Sequence, residues 1–199
     1  MSATAAPYGM IPVLNYGAQY NTQGFETYLI LDGYTTSIFH GDVVKLGSDG
    51  TIQKDTGTST LTPLGVFWGC QFIDPSLGYF NNQQAWPAST TTGQPSGSIG
   101  YPRGKVINFQ NAIFQIQANG PVSWSDVGAN AAIVQTAGSL TAGQISRNAL
   151  NASTINTTDT LPLRIVGIVE SPTNASGDAF TDVLVRFNNN MQIDTATGV

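Results

Sequence analysis

Leu163-Arg164-Ile165-Val166-Gly167-Ile168-Val169-Glu170 and Phe180-Thr181-Asp182-Val183-Leu184-Val185-Arg186-Phe187 are the two runs that decide the fold. Both are rich in β-branched and aromatic residues, which suit a pleated, half-buried surface. Strand side chains alternate from face to face. In the second run Thr181, Val183, Val185 and Phe187 therefore share one face, and Phe180, Asp182, Leu184 and Arg186 share the other. The pattern predicts an apolar side led by Val183, Val185 and Phe187, with Asp182 and Arg186 turned towards solvent or an interface. Between the runs, Pro172, Asn174 and Gly177-Asp178 supply turn chemistry, so the pair reads as a terminal hairpin.

The same signature recurs upstream. Phe25 to Leu31 (FETYLIL) reads as a strand. Gly41 to Leu46 and Thr51 to Gln53 flank Gly47-Ser48-Asp49-Gly50, a hairpin in which glycine takes the positive-φ position and Asp49 bonds locally. Pro63 to Ile73, Lys105 to Phe109 and Ala112 to Gln117 read as further strands, the last with burial on both faces open. Residues 126 to 134 fit either a short helix capped by Asp126 or irregular structure leading into a strand. Polar, turn-forming residues dominate 74 to 100 and 137 to 160, which read as loop insertions, the latter with Thr141 capping a short helix near Ala142 to Arg147. Gly41, Asp49, Gly50, Gly65, Gly120, Gly167 and Gly177 are assigned to structural turns and close approaches. A four-residue echo between Leu64-Gly65-Val66-Phe67 and Val166-Gly167-Ile168-Val169 is too short to establish an internal repeat. The expectation is an all-β protein: a β-barrel or β-sandwich with long loops, in one domain over 25 to 199.

Residues 1 to 24 lack periodicity and read as an extended N-terminal arm, ordered against the body or a neighbour, with a disordered tail as the other reading. Pro7, Tyr8, Met10, Ile11 and Pro12 are its candidate contacts. Tyr79, Phe80, Trp86 and Pro87 form a second candidate group, either anchoring the 74 to 100 loop or touching a partner. For both groups the competing reading is that they close the protein's own core.

Composition narrows the function classes. Only 10% of the 199 residues are charged, and seven basic against twelve acidic residues give a net charge of -5. General attraction to nucleic acid or an anionic membrane is disfavoured. The lone cysteine, Cys70, lies in an apolar run and reads as a buried structural thiol. The segment Met1 to Tyr8 has no basic start followed by an apolar core, so no classical secretion signal is expected, and no apolar run reaches membrane-spanning length.

No catalytic constellation is legible. The one histidine, His40, precedes Gly41-Asp42 and reads as a structural or solvated residue at a turn, since no nucleophile elbow accompanies it. The carboxylates are scattered, which singles out no pair for glycoside hydrolysis or calcium binding. Solvation and turns account for them, Asp49 and Asp178 above all. The glycines form neither the phosphate loop nor the dinucleotide fingerprint. No metal and no cofactor are expected. Asn151, Asn156 and Asn174 each open a glycosylation triplet and are read simply as surface loops.

Five segments together resemble the head decoration, or capsid cement, proteins of tailed bacteriophages: GDVVKL at Gly41 to Leu46, DGTI at Asp49 to Ile52, PLGVFWGCQF at Pro63 to Phe72, RIVGIV at Arg164 to Val169 and TDVLVRF at Thr181 to Phe187. The resemblance spans about residue 25 to 190. It implies a noncatalytic virion protein on the outer surface of the capsid, assembled in the host cytoplasm. Such a protein binds the major capsid protein, bridges adjacent capsomers and stabilises the DNA-filled head. It further implies a small oligomer, a homotrimer, with no direct contact to nucleic acid or membrane. The long loops depart from a minimal barrel. A tail or baseplate structural protein and a carbohydrate-binding β module using Trp86 or Tyr79 are the alternatives.

Overall fold

In the computed structural model, residues 4–13, 24–108, 112–189 and 191 are described. Their strands are β1 (Ile11–Val13), β2 (Glu26–Leu29), β3 (Val43–Leu46), β4 (Ile52–Lys54), β5 (Gly65–Ile73), β6 (Phe80–Gln83), β7 (Arg103–Ile107), β8 (Ile113–Gln117), β9 (Asn130–Ala131), β10 (Ile133–Val134), β11 (Ala149–Leu150), β12 (Leu163–Ile168) and β13 (Asp182–Phe187). The protein is all-β. Sheet A runs β1-β8-β13-β12-β9, sheet B runs β2-β7-β5-β3-β4 with β6 added on β5, and β10 pairs with β11.

The terminal hairpin builds sheet A. Leu163 pairs with Phe187, Ile165 with Val185 and Ile168 with Val183, and β13 continues the row to Phe114 and Ile116 of β8. These side chains are buried together, as the period-two pattern requires, and Val43, Val66 and Ile107 of sheet B close the same core from the other side. The opposite face of sheet B buries Val44, Phe67, Cys70, Phe72 and Val106 with Ile30, Ile38, Ile52 and Trp86. Sheet B is thus buried on both faces over much of its length. It curls until Ile30 meets Ile52 in a single parallel bridge, which wraps this second core without closing a barrel.

Local chemistry fixes the elements. In the β3–β4 turn, Asp49 accepts from the Thr51 amide at 3.0 Å and the Thr51 hydroxyl at 2.8 Å; these bonds hold its carboxyl below the usual aspartate range. Gly50 follows at φ +75°. Gly177 stands in a turn and Gly120 in a bend, whereas Gly65 and Gly167 lie inside β5 and β12. At Gly65 the missing side chain serves packing: a Cβ there would stand 2.4 Å from the Ile107 carbonyl oxygen, whereas one on Gly167 would meet Leu184 at an ordinary 3.6 Å. Residues 124 to 134 form a 3-10 turn at Trp124–Asp126, then β9 and β10. The Asp126 carboxylate accepts from the Ser123 amide at 2.8 Å. The loop reading holds near Ala142 to Arg147, where no short helix follows Thr141 and turns through Gly143 and Gln144 occupy the stretch. Within 74 to 100 the sequence reading missed β6, whose FNNQ carries little strand signal.

One buried carboxylate ties the parts together. Asp42 is fully buried and accepts from Lys54 Nζ at 2.8 Å, from the Phe39 amide at 2.9 Å and from Asn148 Nδ2 at 3.2 Å. Around it, the Met10 amide donates to the Gly41 carbonyl, the Gly41 amide to Phe67 and the Ser146 amide to His40. Gly41 adopts φ +87°, with the Met10 nitrogen 3.1 Å from where a Cβ would sit, so glycine alone allows this approach. The expectation that carboxylates serve turns and solvation is therefore corrected at Asp42; at Asp55 only the solvation part fails, since it is buried yet forms a local turn by accepting from the Gly57 amide, and also accepts from the Thr62 amide. Asn174 is likewise buried and hydrogen-bonded to the Asp182 amide, not a surface-loop asparagine. Replacing Asp42 by alanine leaves Lys54 unpaired in a largely buried site. The expected loss is about 3–5 kcal/mol of unfolding free energy, read as a fall in urea midpoint; a loss below about 1 kcal/mol would contradict this role.

Candidate functional site

Sheet B is longer than the sheet that covers it. Along β5, Val66 faces sheet A, but beyond Trp68 the same side of the strand carries Gln71 and Ile73, which are only partly buried. A β-bulge between Phe67 and Gly69 marks the change. Gly69 sits at φ +153°, and a Cβ there would lie 2.8 Å from the Gln83 carbonyl oxygen, so the bulge and the close approach of β6 both need glycine. Cys70 and Phe72 keep facing inward; burial pushes the Cys70 thiol up to about 12, and its Sγ lies 3.4 Å from the Ala85 carbonyl oxygen.

Cross-strand register assembles an open face from four strands. Phe80 stands opposite Ile73, Asn82 opposite Gln71, Gln71 opposite Arg103, and Lys105 opposite Thr27. Thr27, Gln71, Phe80, Ile99 and Arg103 line a shallow groove of about 370 Å³. Ile99 is 79% exposed and Phe80 44%. Lys105 Nζ lies 5.1 Å from the Phe25 ring centroid. Apolar side chains on β6 and on the turn before β7, set against the sheet beside two cations, make a surface suited to protein contact.

The candidate residues named from the sequence divide. Of the second group, Phe80 lies in the groove and Tyr79 is exposed beside it, while Pro87 is half-buried. Trp86 is 0% exposed, in edge contact with Phe72 at 5.3 Å; it offers no surface to a partner, and a sugar cannot stack on it. Of the arm, Met10 is fully buried in the core shared by the two sheets. Ile11 is exposed, and Pro7 and Pro12 are half-buried. The arm's residues 4–13 join the body through β1 on β8; its residues 1–3 and 14–23 lie outside the described ones. Of the two readings of His40 the structural one holds: Nδ1 lies 2.9 Å from the Trp68 carbonyl oxygen and the two rings are 4.1 Å apart. Arg103 and Ile99 escaped the sequence reading. The available signal was Arg103-Gly104-Lys105, two cations at strand period at the head of an otherwise apolar run.

Tyr8 pins the arm to sheet A. Its hydroxyl donates to Asp182 Oδ1 at 3.0 Å and accepts from Gln115 Nε2 at 2.9 Å, and Gln117 accepts from the Ala6 amide at 2.7 Å. Burial, then the Asp182 charge, pushes the Tyr8 hydroxyl up. Among the described residues, no group of three or more histidine, cysteine or acidic side chains is placed to hold a metal ion, and no helix is long and apolar enough to cross a membrane. Comparison with protein-family models, curated proteins and solved structures found no match.

Asp182 provides a pH test. Burial raises its carboxyl above the usual value, and the Tyr8 hydrogen bond only partly offsets this. A raised acid binds its proton more tightly in the folded state, so its contribution favours folding at low pH and is lost as pH rises through the raised value. Asp182→Asn is therefore expected to raise Tm at pH 7 and leave it nearly unchanged at pH 3. An unchanged or lower Tm at pH 7 would contradict the assignment.

Proposed function

We propose that this chain is a noncatalytic structural protein that docks the open end of sheet B onto a larger protein assembly. Following the resemblance carried by its strands, we take that assembly to be the outer surface of a tailed-phage head. The supporting observation is the groove beyond Trp68, where Phe80 of β6 and Ile99 of the turn before β7 stand exposed beside β5, whose other face there is core. A rigid platform lets such a contact form with little ordering cost. Against the shell the chain would contact the major capsid protein, bridge capsomers and reinforce the head. As a small oligomer, a trimer on this reading, it would multiply modest contacts through effective concentration. All five resembling segments include strand residues, of β3, β4, β5, β12 and β13, with DGTI running from the turn into β4, so the resemblance concerns the two-sheet body.

Reconstruction of the native particle tests the assignment. The expected result is density for the two-sheet body between capsomers on the head exterior, with the Phe80–Ile99 groove towards the shell. Density confined to the tail would reject it in favour of a tail or baseplate role. Phe80→Ser with Ile99→Ser, both at exposed positions, is expected to lower occupancy on heads with little change in Tm; full occupancy would sink the docking face.

A further inference from the structure

The outer face of sheet A carries a second feature, independent of the groove. Arg164 of β12 and Arg186 of β13 stand directly opposite each other in the antiparallel register. Like charges in that position repel, and arginine cannot relieve the repulsion by losing its proton. These are two of only seven basic residues in a chain of net charge -5. Among the described residues neither forms an ion pair within 4 Å; the ion pair present there is Lys54 with Asp42. Asp182 shares the Arg186 face but lies four residues along β13, about 13 Å away, and accepts from Tyr8.

Arg164 is held in place. Its Nε donates to Asn130 Oδ1 at 3.1 Å, and Asn130, 2% exposed, donates in turn to the Thr158 carbonyl oxygen at 2.9 Å. Asn130 stands opposite Arg164 on β9, so one cross-strand row reads Asn130, Arg164, Arg186. Arg186 is exposed. Beside the row, Leu184 lies over Gly167 at 3.6 Å from its virtual Cβ, giving an apolar flank. An oriented guanidinium beside an exposed one, with no carboxylate of their own, suits an incoming oxyanion held by paired N–H donors.

We propose that Arg164 and Arg186 form a carboxylate-binding point for an acidic protein surface. The nature of the partner rests on the structural-protein reading above, but the anion chemistry does not. Charge decides against nucleic acid as the occupant: two cations on an acidic chain meet one or two carboxylates, whereas a phosphate backbone brings a charge at every residue and is repelled by the whole.

The test uses the full chain with arginine Nε–H resonances observed by NMR. The probes, at constant ionic strength, are a Glu-Leu-Glu peptide, its Gln-Leu-Gln counterpart and a ten-residue oligothymidylate. The glutamate peptide is expected to shift Arg164 and Arg186 saturably, and the glutamine peptide to shift neither. Arg186→Gln should weaken the glutamate peptide about 3- to 10-fold. That variant should also gain Tm at low salt, an increase that fades at high salt as screening removes the repulsion it relieves. Equal shifts from both peptides, tighter binding of the oligothymidylate, or unaltered peptide affinity in Arg186→Gln would overturn the proposal. Absence of the chain from phage heads would defeat the decoration reading while leaving this titration to stand or fall alone.

Discussion

The buried Asp42 carboxylate is the constraint on which the rest of the structure hangs. A charge removed from water is tolerated only when paired and hydrogen-bonded, and Asp42 meets the condition by drawing on separate parts of the chain. Lys54 comes from β4, the Phe39 amide from the preceding turn and Asn148 from the end of the long polar loop. The backbone around it binds the arm at Met10, β5 at Phe67 and the loop at Ser146. Such a site is an inefficient way to add stability. Its effect is to fix the relative placement of segments that would otherwise meet only through apolar packing, which is tolerant of sliding.

From that fixed point follow the two cores and their unequal cover. Sheet B is held between sheet A and the layer of Ile30, Ile38 and Trp86, and β5 crosses from the covered to the uncovered region through the Gly69 bulge. The uncovered end is supported from behind by Cys70 and Phe72, both buried. A surface backed in this way stays flat and ordered without a partner, which a docking face needs if little binding energy is to be lost in ordering it. On the other sheet, Arg164 and Arg186 present charge on an equally rigid support. The proposed functional surfaces are therefore strand faces, with Ile99 of the turn before β7 added at the groove, while the long loops largely pack and hydrogen-bond back onto the body: Asp32 accepts from the Thr92 amide at 2.7 Å, and Trp86 fills the core.

Much of the sheet framework was legible because alternation is a local signal. Val183, Val185 and Phe187 announce their face, and Asp49-Gly50 its turn, from neighbours in sequence alone. Long-range pairing was not legible. Nothing near Asp42 in the chain points to Asn148, and nothing near Tyr8 points to Asp182. Trp86 and Phe80 looked equivalent as aromatic residues in a polar loop, yet one is core and the other exposed, a difference decided by the Ile38–Trp86 bridge. β6 escaped because its FNNQ owes its strand geometry to pairing with Cys70 to Ile73, a tertiary effect that overrides local propensity. The Arg164–Arg186 pairing depends on the register of the terminal hairpin, which the β12 bulge shifts by one residue between Ile165 and Gly167.

Native-state hydrogen exchange tests the central claim most directly. If Asp42 welds arm, sheet B and loop into one cooperative unit, the amides of Met10, Gly41, Phe67 and Ser146 should exchange with a single opening free energy equal to that of global unfolding. In Asp42→Ala all four should fall together. Exchange of Met10 and Ser146 through a separate, lower-energy opening while Phe67 remains protected would show that these segments rest on the body independently, and would contradict the account.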